Sequence, residues 1–472
     1  MYKLQITDNH DWKSIINCLE EQVEDTSEVK SDLKKVSDIK IGKLSINETP
    51  SLLIFPRDLH QYGDEISESC IISLRNEEIS TGNIMGFVGV NDTQLDIKSR
   101  FAKEDGNDFF LHYMLQKVFS INLFDIKHTF NQEPVFDFLL YLFPHFLKKA
   151  LAQGLFKKYR KYEYNDTNVK GPIDVNRHIR ENIPFKGTVA YSTREHSYDN
   201  EVTQLIRHTI EYIKTKEFGP SILNNDLDTK SCVTQITMAT QTYNLRERSQ
   251  IISKNLRPIR HPYYSAYSDL QKLCLQILRH ESIKYGRDKD KVYGVLFDGA
   301  WLWEEYLNKI FEKHDPSITH AKNKTGENGI QFYEGGRKCY YPDFYRQING
   351  DAEKSFVLDA KYKRLNKNTH IDEQSGSNSI SICHDDLFQM IAYMYVLPAK
   401  RCSLLYPLEI EEHKSPTRVI KSAHRKLKGY GGEIFGYGIR ISTAKEMKDF
   451  WQEMEEIELE LSNQIVEYMQ KQ

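Results

Sequence analysis

The 472 residues predict a multidomain α/β chain in three parts. A β-rich N-terminal module covers 1–132, a mainly helical basic domain covers 133–288, and 289–472 holds a domain of order α-β-β-β-α-β closed by an amphipathic helix. Three observations carry this. The chain is too long for one ordinary core. Short alternating runs bounded by turn residues fill the first hundred residues, whereas from Asp108 apolar residues recur every three or four positions. After the charged loop Tyr285–Lys291, helix-period and strand-period segments interleave, as in a mixed sheet covered by helices.

In the N-terminal module, Ser51–Phe55 and Gly86–Val90 read as strands. Beyond the Asn91-Asp92 turn, Gln94–Ser99 alternates like a half-buried strand. Asp96 and Lys98 form an acid-x-lysine pair there, expected on a solvent-facing strand edge. From Asp108 to Leu155 the pattern is helical, with Phe110, Tyr113, Met114 and Val118, then Phe136, Leu139, Leu140, Phe143, Leu147 and Leu151. Further helices are expected around Asn200–Ile213 and Ser268–His280. Basic residues cluster from Lys148 to Arg194, including Lys157–Tyr162, and again from Lys414 to Lys428. Such clusters interleaved with Tyr either track a phosphate backbone or form a solvated helix face, and both readings stand.

Composition excludes several classes. Hydrophobic residues at 39% and charged residues at 28% describe a soluble globular protein, and a net charge of −3 is not that of a polycation. The seven cysteines are scattered without a CxxC pair, which argues against a disulfide framework or a zinc knuckle and for a reducing compartment. The N-terminal residues lack a signal-peptide core, and the most apolar run, Val135–Leu147, is interrupted by Asp137, Pro144 and His145. No membrane partner is expected and the expected location is cytoplasmic. There is no G-x-x-x-x-G-K-[ST] loop, so this chain is expected to bind no nucleotide, and any nucleotide-driven movement must come from another polypeptide.

The C-terminal third holds the chemistry. A helix over Gly299–Lys313 carries Glu304 and Glu305; strands follow around Ile330, Asp343 and Asp359, then a helix over Asp385–Leu397 and a strand at Ser403–Tyr406. The last helix is expected to start at the capping box Thr443–Glu446, with the apolar stripe Met447, Phe450, Trp451, Met454, Ile457 and Leu461 for packing. Tyr340–Tyr345 and Ser355–Lys363, joined by a turn at Asn349-Gly350-Asp351, read as a hairpin. Strand alternation puts Val357, Asp359 and Lys361 on one side and Phe356, Leu358 and Ala360 on the other, so the polar pair points away from an apolar face.

An acid and a lysine two residues apart, facing a second acid on the next strand, suit metal-assisted attack of water on a phosphodiester. The triplet alone is common here: Asp11/Lys13, Asp32/Lys34, Asp125/Lys127 and Asp228/Lys230 share it. Asp359/Lys361 differs by context. Pro342-Asp343 precedes it, and a helix follows on which Gln389 and Tyr393 share a face, offering neutral hydrogen-bonding groups beside a charged site. The bland alternative is a surface hairpin with solvated charges.

Pro342-Asp343, Asp359-Ala360-Lys361 and Gln389-x-x-x-Tyr393 resemble the PD-(D/E)xK, restriction-endonuclease-like nuclease pattern with the helix of its RecB-like branch. Leu302–Tyr306, Leu358–Lys363 and Asp386–Tyr393 resemble McrC, the nuclease subunit of McrBC-type restriction systems, including LlaJI-type subunits. Gly154-Leu155, Tyr159, Val169–Asp174 and Arg177-His178 are similar to that family's central region, and Gly86–Ser99 to its N-terminal strand pair. The chain departs from the family in the extension before Gly86 and in the insertion Lys367–Ser381, of which Gln374–Ser381 reads as a mobile loop.

The resemblance implies a metal-dependent endodeoxyribonuclease acting in anti-phage defence. Asp343, Asp359, the Ala360 carbonyl and Glu304, ahead of Glu305, would hold Mg²⁺ or Mn²⁺. Lys361 would act on the attacking water, and Gln389 and Tyr393 would support the site and contact DNA. The implied partners are DNA and an McrB-like AAA+ GTPase ring that engages the N-terminal part. The alternatives are a self-sufficient RecB-like repair or recombination nuclease, and an adaptor that mainly stimulates a partner NTPase.

Overall fold

The computed structural model describes residues 2–21, 26–42, 52–56, 68–102, 108–119, 134–216, 219–224, 226–284, 292–322, 326–348, 350–363, 382–409, 418–429 and 431–470. They divide into two units, one made of 1–124 with 288–472 and the other of 125–287. The loop Tyr285–Lys291, the insertion Lys367–Ser381 and the helical pattern over 120–133 lie outside the described residues.

The first unit begins with a five-stranded sheet. Its N-terminal strands are β1 (Tyr2–Thr7), β2 (Leu52–Phe55), β3 (Ile84–Val90) and β4 (Thr93–Lys98), followed by helix α1 (Phe109–Phe119). β3 and β4 form the expected hairpin, turned at Asn91 with φ +50°, a conformation Asn tolerates well. The fifth strand, β5 (Val292–Asp298), comes from the far end of the chain, and the sheet order is β1-β4-β3-β5-β2. The expected first and last domains therefore share one sheet. Val292–Phe297 is a largely apolar strand, and it pairs antiparallel with β3 and parallel with β2.

This close pairing needs two glycines. Gly86 at φ +124° and Gly294 at φ +151° face the opposing backbone, where an added Cβ would come within 2.1 Å of Val295 O and 2.2 Å of Phe87 O respectively. β4 is an interior strand, because β1 pairs parallel along its free side. Asp96 and Lys98 therefore do not lie on a sheet edge; Lys98 Nζ donates to Gln5 of β1, and Asp96 accepts from Gln94.

β5 runs straight into helix α2 (Gly299–His314), which Asp298 caps by accepting from Ala300 N at 2.9 Å. The remaining elements are β6 (Thr319–His320), β7 (Phe344–Arg346), β8 (Phe356–Ala360), α3 (His384–Val396), β9 (Arg401–Leu408), β10 (Val419–Lys426), β11 (Glu433–Arg440) and α4 (Met447–Gln470). They build a mixed sheet of order β6-β7-β8-β9-β11-β10. β6, β7 and β8 run antiparallel, β8, β9 and β11 parallel, and β10 antiparallel at the far edge. The strand expected at Ile330 is not in this sheet: Ile330-Gln331 pairs with Cys339-Tyr340 as a separate ladder, and β6 takes the edge beside β7.

Both faces of β8 are covered. Val357 packs with Met390, Tyr393 and Met394 of α3, while Phe344, opposite Leu358, meets Phe311 of α2. Asp359 thus points into a buried layer rather than away from an apolar face. α4 starts at Met447, four residues after the expected box began, because Ser442 organises the turn ahead of it by accepting from Ala444 N. Its stripe is buried from Phe450 through Leu461.

In the second unit, helices Pro134–Leu151, Glu201–Lys214, Leu227–Ala239 and Ala266–Lys284 pack on one another. Strands Lys158–Asp166 and Val189–Ser197 form a hairpin against helix Val175–Asn182. The basic run Lys157–Tyr162 is therefore largely strand, not a helix face; within the second basic cluster, residues 418–428 include β10 and 414–417 lie outside the described residues. Among the described residues no helix is long and apolar enough to cross a membrane, and all seven cysteines are unpaired.

Candidate active site

The register of β7 against β8 pairs Phe344 with Leu358, so one step further Asp343 stands opposite Asp359. Asp343 Oδ2 accepts from Ala360 N at 2.6 Å, which ties the residue ahead of β7 to the end of β8. Asp359 is 1% exposed. Its Oδ2 lies 2.7 Å from Lys361 Nζ in an ion pair, and no other donor reaches that oxygen among the described residues.

Burial raises the Asp343 carboxyl well above its usual range, and the charges of Asp359 and Glu304 push it further; burial likewise raises Asp359, against the pull of Lys361. Burial alone would lower Lys361, but Asp359 first, then Asp343 and Asp386, hold its ammonium above the ordinary lysine value. Two facing carboxylates, Asp359 buried and Asp343 half-buried, with one lysine paired to Asp359, form an acidic pair short of cation.

Lys361 follows the last residue of β8, and its N–H donates to Leu405 O at 2.9 Å. Three further groups fix its position. Gln389 Oε1 accepts from Nζ at 3.2 Å, Gln389 Nε2 donates to Tyr393 Oη at 3.3 Å, and Tyr393 donates to Tyr341 O at 3.4 Å. This relay of neutral groups follows the one helical face expected for Gln389 and Tyr393. On the next residue, Tyr362, Arg100 donates to the carbonyl at 3.3 Å and lies 4.7 Å from the ring centroid, while Asp8 anchors Arg100. The first sheet thus grips the backbone beside Lys361.

Glu304, on α2, faces the acidic pair electrostatically, and burial first, then Glu305 and Asp359, raises its carboxyl well above the usual range. Its Oε1 is 2.8 Å from His320 Nε2. His320 is buried and neutral, since burial lowers its pKa, and its Nδ1 has no partner. The Nε2–H tautomer donates to Glu304 and leaves only a lone pair unmatched, whereas the other tautomer would bury an unpaired N–H. Glu304 is therefore turned toward His320, and Glu305 acts on it only through its charge.

Two residues were absent from the expected site set. Asp386, one turn before Gln389 on α3, places Oδ1 3.4 Å from Lys361 Nζ and Oδ2 3.2 Å from Lys363 Nζ. Its i, i+3 spacing to Gln389 was a usable signal. His320 had none, being one histidine on a two-residue strand that only the fold brings to Glu304.

Among the described residues no group of three or more His, Cys, Asp or Glu side chains is disposed to hold a metal ion. That disfavours a closed zinc-type cage. It is compatible with a hard divalent cation held by one or two carboxylates, a backbone carbonyl and waters. The underprovided oxygen of Asp359 and the mutual repulsion of Asp343 and Asp359 fit such an ion.

A family profile described as McrBC 5-methylcytosine restriction system component matches residues 79–407. Among solved structures, the chain is similar to one in the refined half-complex from the tetradecameric assembly of Thermococcus gammatolerans McrB AAA+ hexamers with bound McrC. The identity is 15%, the TM-score 0.51, and the match covers 96% of this chain and 100% of that one, a likeness of fold. A chain of the Thermococcus gammatolerans McrBC complex matches at 13% identity and TM-score 0.33, covering 66% of this chain and 88% of that one. A search of curated proteins returned no significant match.

Proposed function

Because the chain belongs to the McrBC 5-methylcytosine restriction system component family, we propose that it is the Mg²⁺-dependent DNA endonuclease subunit of such a system, controlled by an McrB-like AAA+ GTPase. The observation that carries the reading is Asp343 opposite Asp359, with Lys361 Nζ 2.7 Å from the latter and Gln389 behind it. We read the C-terminal sheet and its helices as the PD-(D/E)xK nuclease domain, similar by motif to McrC subunits, the LlaJI-type among them.

Asp343 and Asp359, with the Ala360 carbonyl, would hold Mg²⁺, or Mn²⁺ in its place, and Glu304, held by His320, would add its charge beside them. When bound, the ion supplies Lewis-acid polarisation of the scissile phosphoryl group and neutralises its developing charge. Lys361 orients the attacking water and stabilises negative charge at the phosphate. Gln389 and Tyr393 hold Lys361 in register and lie where they can meet the DNA backbone. His320 keeps Glu304 from swinging out of the site. Asp8, Arg100 and Tyr362 couple the N-terminal sheet, which we assign to partner engagement, to the same lysine.

Asp359→Ala and Lys361→Ala are each expected to abolish cleavage of DNA by the chain with its motor, GTP and Mg²⁺, while leaving motor binding intact. Cleavage at the wild-type rate by either variant would overturn the site assignment.

A further inference from the structure

Lys361 has two anionic neighbours, not one. Its Nζ is 2.7 Å from Asp359 and 3.4 Å from Asp386, with Gln389 Oε1 at 3.2 Å on the same helix as Asp386. Asp386 is itself buried, 6% exposed, and Lys363 donates to both of its oxygens, to Oδ2 at 3.2 Å and to Oδ1 at 3.4 Å. The position on α3 is therefore a ready second seat for the ammonium, already lined by a carboxylate and an amide oxygen.

We propose that Asp386 is the positioning residue that receives Lys361 when Asp359 is taken up by a divalent cation. This deepens the proposed function and rests on its reading of Asp343 and Asp359 as the cation-holding pair. In the structure Lys361 is the resident cation of that pair. To leave Asp359 it must trade one ion pair for another, because an ammonium this buried does not give up its partner cheaply. Asp386 and Gln389 supply the replacement within the side chain's present reach. Lys363, whose side chain is 53% exposed, competes for the same carboxylate and can turn to solvent when Lys361 arrives. Asp386 thus acts on the cation only through Lys361, which separates it from a direct ligand.

The test is calorimetric titration of the full chain with Mn²⁺, without DNA or motor. Asp386→Asn is expected to weaken binding about tenfold, the scale of one charge-assisted hydrogen bond. Lys361→Met is expected to tighten it, since the resident competitor is gone. In the Lys361→Met background, Asp386→Asn should change affinity less than about twofold, because the carboxylate has no lysine left to receive. Equal weakening with and without Lys361 would mean that Asp386 attracts the cation directly, and would overturn the proposal. So would an unchanged affinity in Asp386→Asn alone.

Lys363→Met is the second arm should Asp386→Asn fail to fold. It leaves Asp386 to Lys361 alone, and is expected to tighten binding only when Lys361 is present; no change overturns the proposal. If the wild type binds Mn²⁺ no better than Asp359→Asn, the cation-holding pair itself is wrong and the proposed function fails with the inference. Loss of binding in Asp359→Asn, with Asp386→Asn unaffected, defeats the inference alone.

Discussion

Replacing Glu458 with alanine removes the acceptor at which three helices of the first unit meet. Glu458 of α4 is 3% exposed, and its Oε1 accepts from Tyr113 Oη at 2.6 Å and Tyr306 Oη at 3.1 Å, from α1 and α2. Lys117 of α1 reaches Oε2 at 3.1 Å. Both tyrosines are fully buried, so the substitution leaves two hydroxyls without an acceptor, at about 1–3 kcal/mol each. Lys117 is partly exposed and re-solvates at little cost. Adding the lost side-chain packing, the expected destabilisation is about 4 kcal/mol, and about 1–2 kcal/mol for Glu458→Gln, which keeps a carbonyl acceptor. The four tryptophans, Trp12, Trp301, Trp303 and Trp451, all lie in this unit, so urea unfolding followed by tryptophan fluorescence reports on it. In a Tyr113→Phe, Tyr306→Phe background the hydroxyls are gone, and the alanine penalty should fall to about 1 kcal/mol. A loss below about 1 kcal/mol in the wild type, or an undiminished loss in the double-Phe background, would refute the reasoning.

Three further outcomes are expected. Burial pushes the Asp298 carboxyl up to about 7, above its unfolded value of about 3.9. The folded state therefore binds this proton more tightly. The resulting stability is full below about pH 4 and is lost as pH rises through about 7, by about 2.5 kcal/mol between pH 5 and pH 8. Asp298→Asn keeps the helix cap and should flatten that slope in thermal melts across the range; an unchanged slope would contradict the burial argument. Gly294→Ala forces a Cβ to within 2.2 Å of Phe87 O at φ +151° and should cost at least about 3 kcal/mol by the same fluorescence assay, whereas a wild-type midpoint would deny the close pairing of β3 and β5. Arg100→Lys loses the fork that joins Asp8 to the Tyr362 carbonyl, and should lower kcat for DNA cleavage with KM unchanged, because the backbone beside Lys361 loosens; an unchanged kcat would mean that this grip does not reach the lysine.

The site residues were legible because each lies on, or within one residue of, an element with a strong local period. Asp359 sits on an apolar strand and Gln389 and Tyr393 on one helical face; the helix formed within one residue of its expected bounds, whereas the strand ends at Ala360, three residues before the expected Lys363. Long-range pairing was not legible. Nothing near Val292 announces that its strand will lie between β3 and β2, since register across the long intervening chain leaves no local pattern. The same holds for β1, whose parallel pairing moved Asp96 and Lys98 off a sheet edge, and for His320, whose link to Glu304 depends on β6 taking the place expected for Ile330. Where charge and strand propensity competed, in Lys158–Asp166, the cross-strand partners at Val189–Ser197 decided for a strand over a helix face.

The central claim, that the facing carboxylates of β7 and β8 cut DNA, is tested most directly at Asp343. Asp343→Asn keeps the shape of the side chain and an oxygen that can accept from Ala360 N, yet removes one of the two charges. Single-turnover cleavage of DNA should be measured with the motor partner, GTP and Mg²⁺, alongside the partner's GTP hydrolysis. The account predicts cleavage reduced by at least about a thousandfold, with stimulation of GTP hydrolysis unchanged. Cleavage within a few-fold of wild type would contradict it.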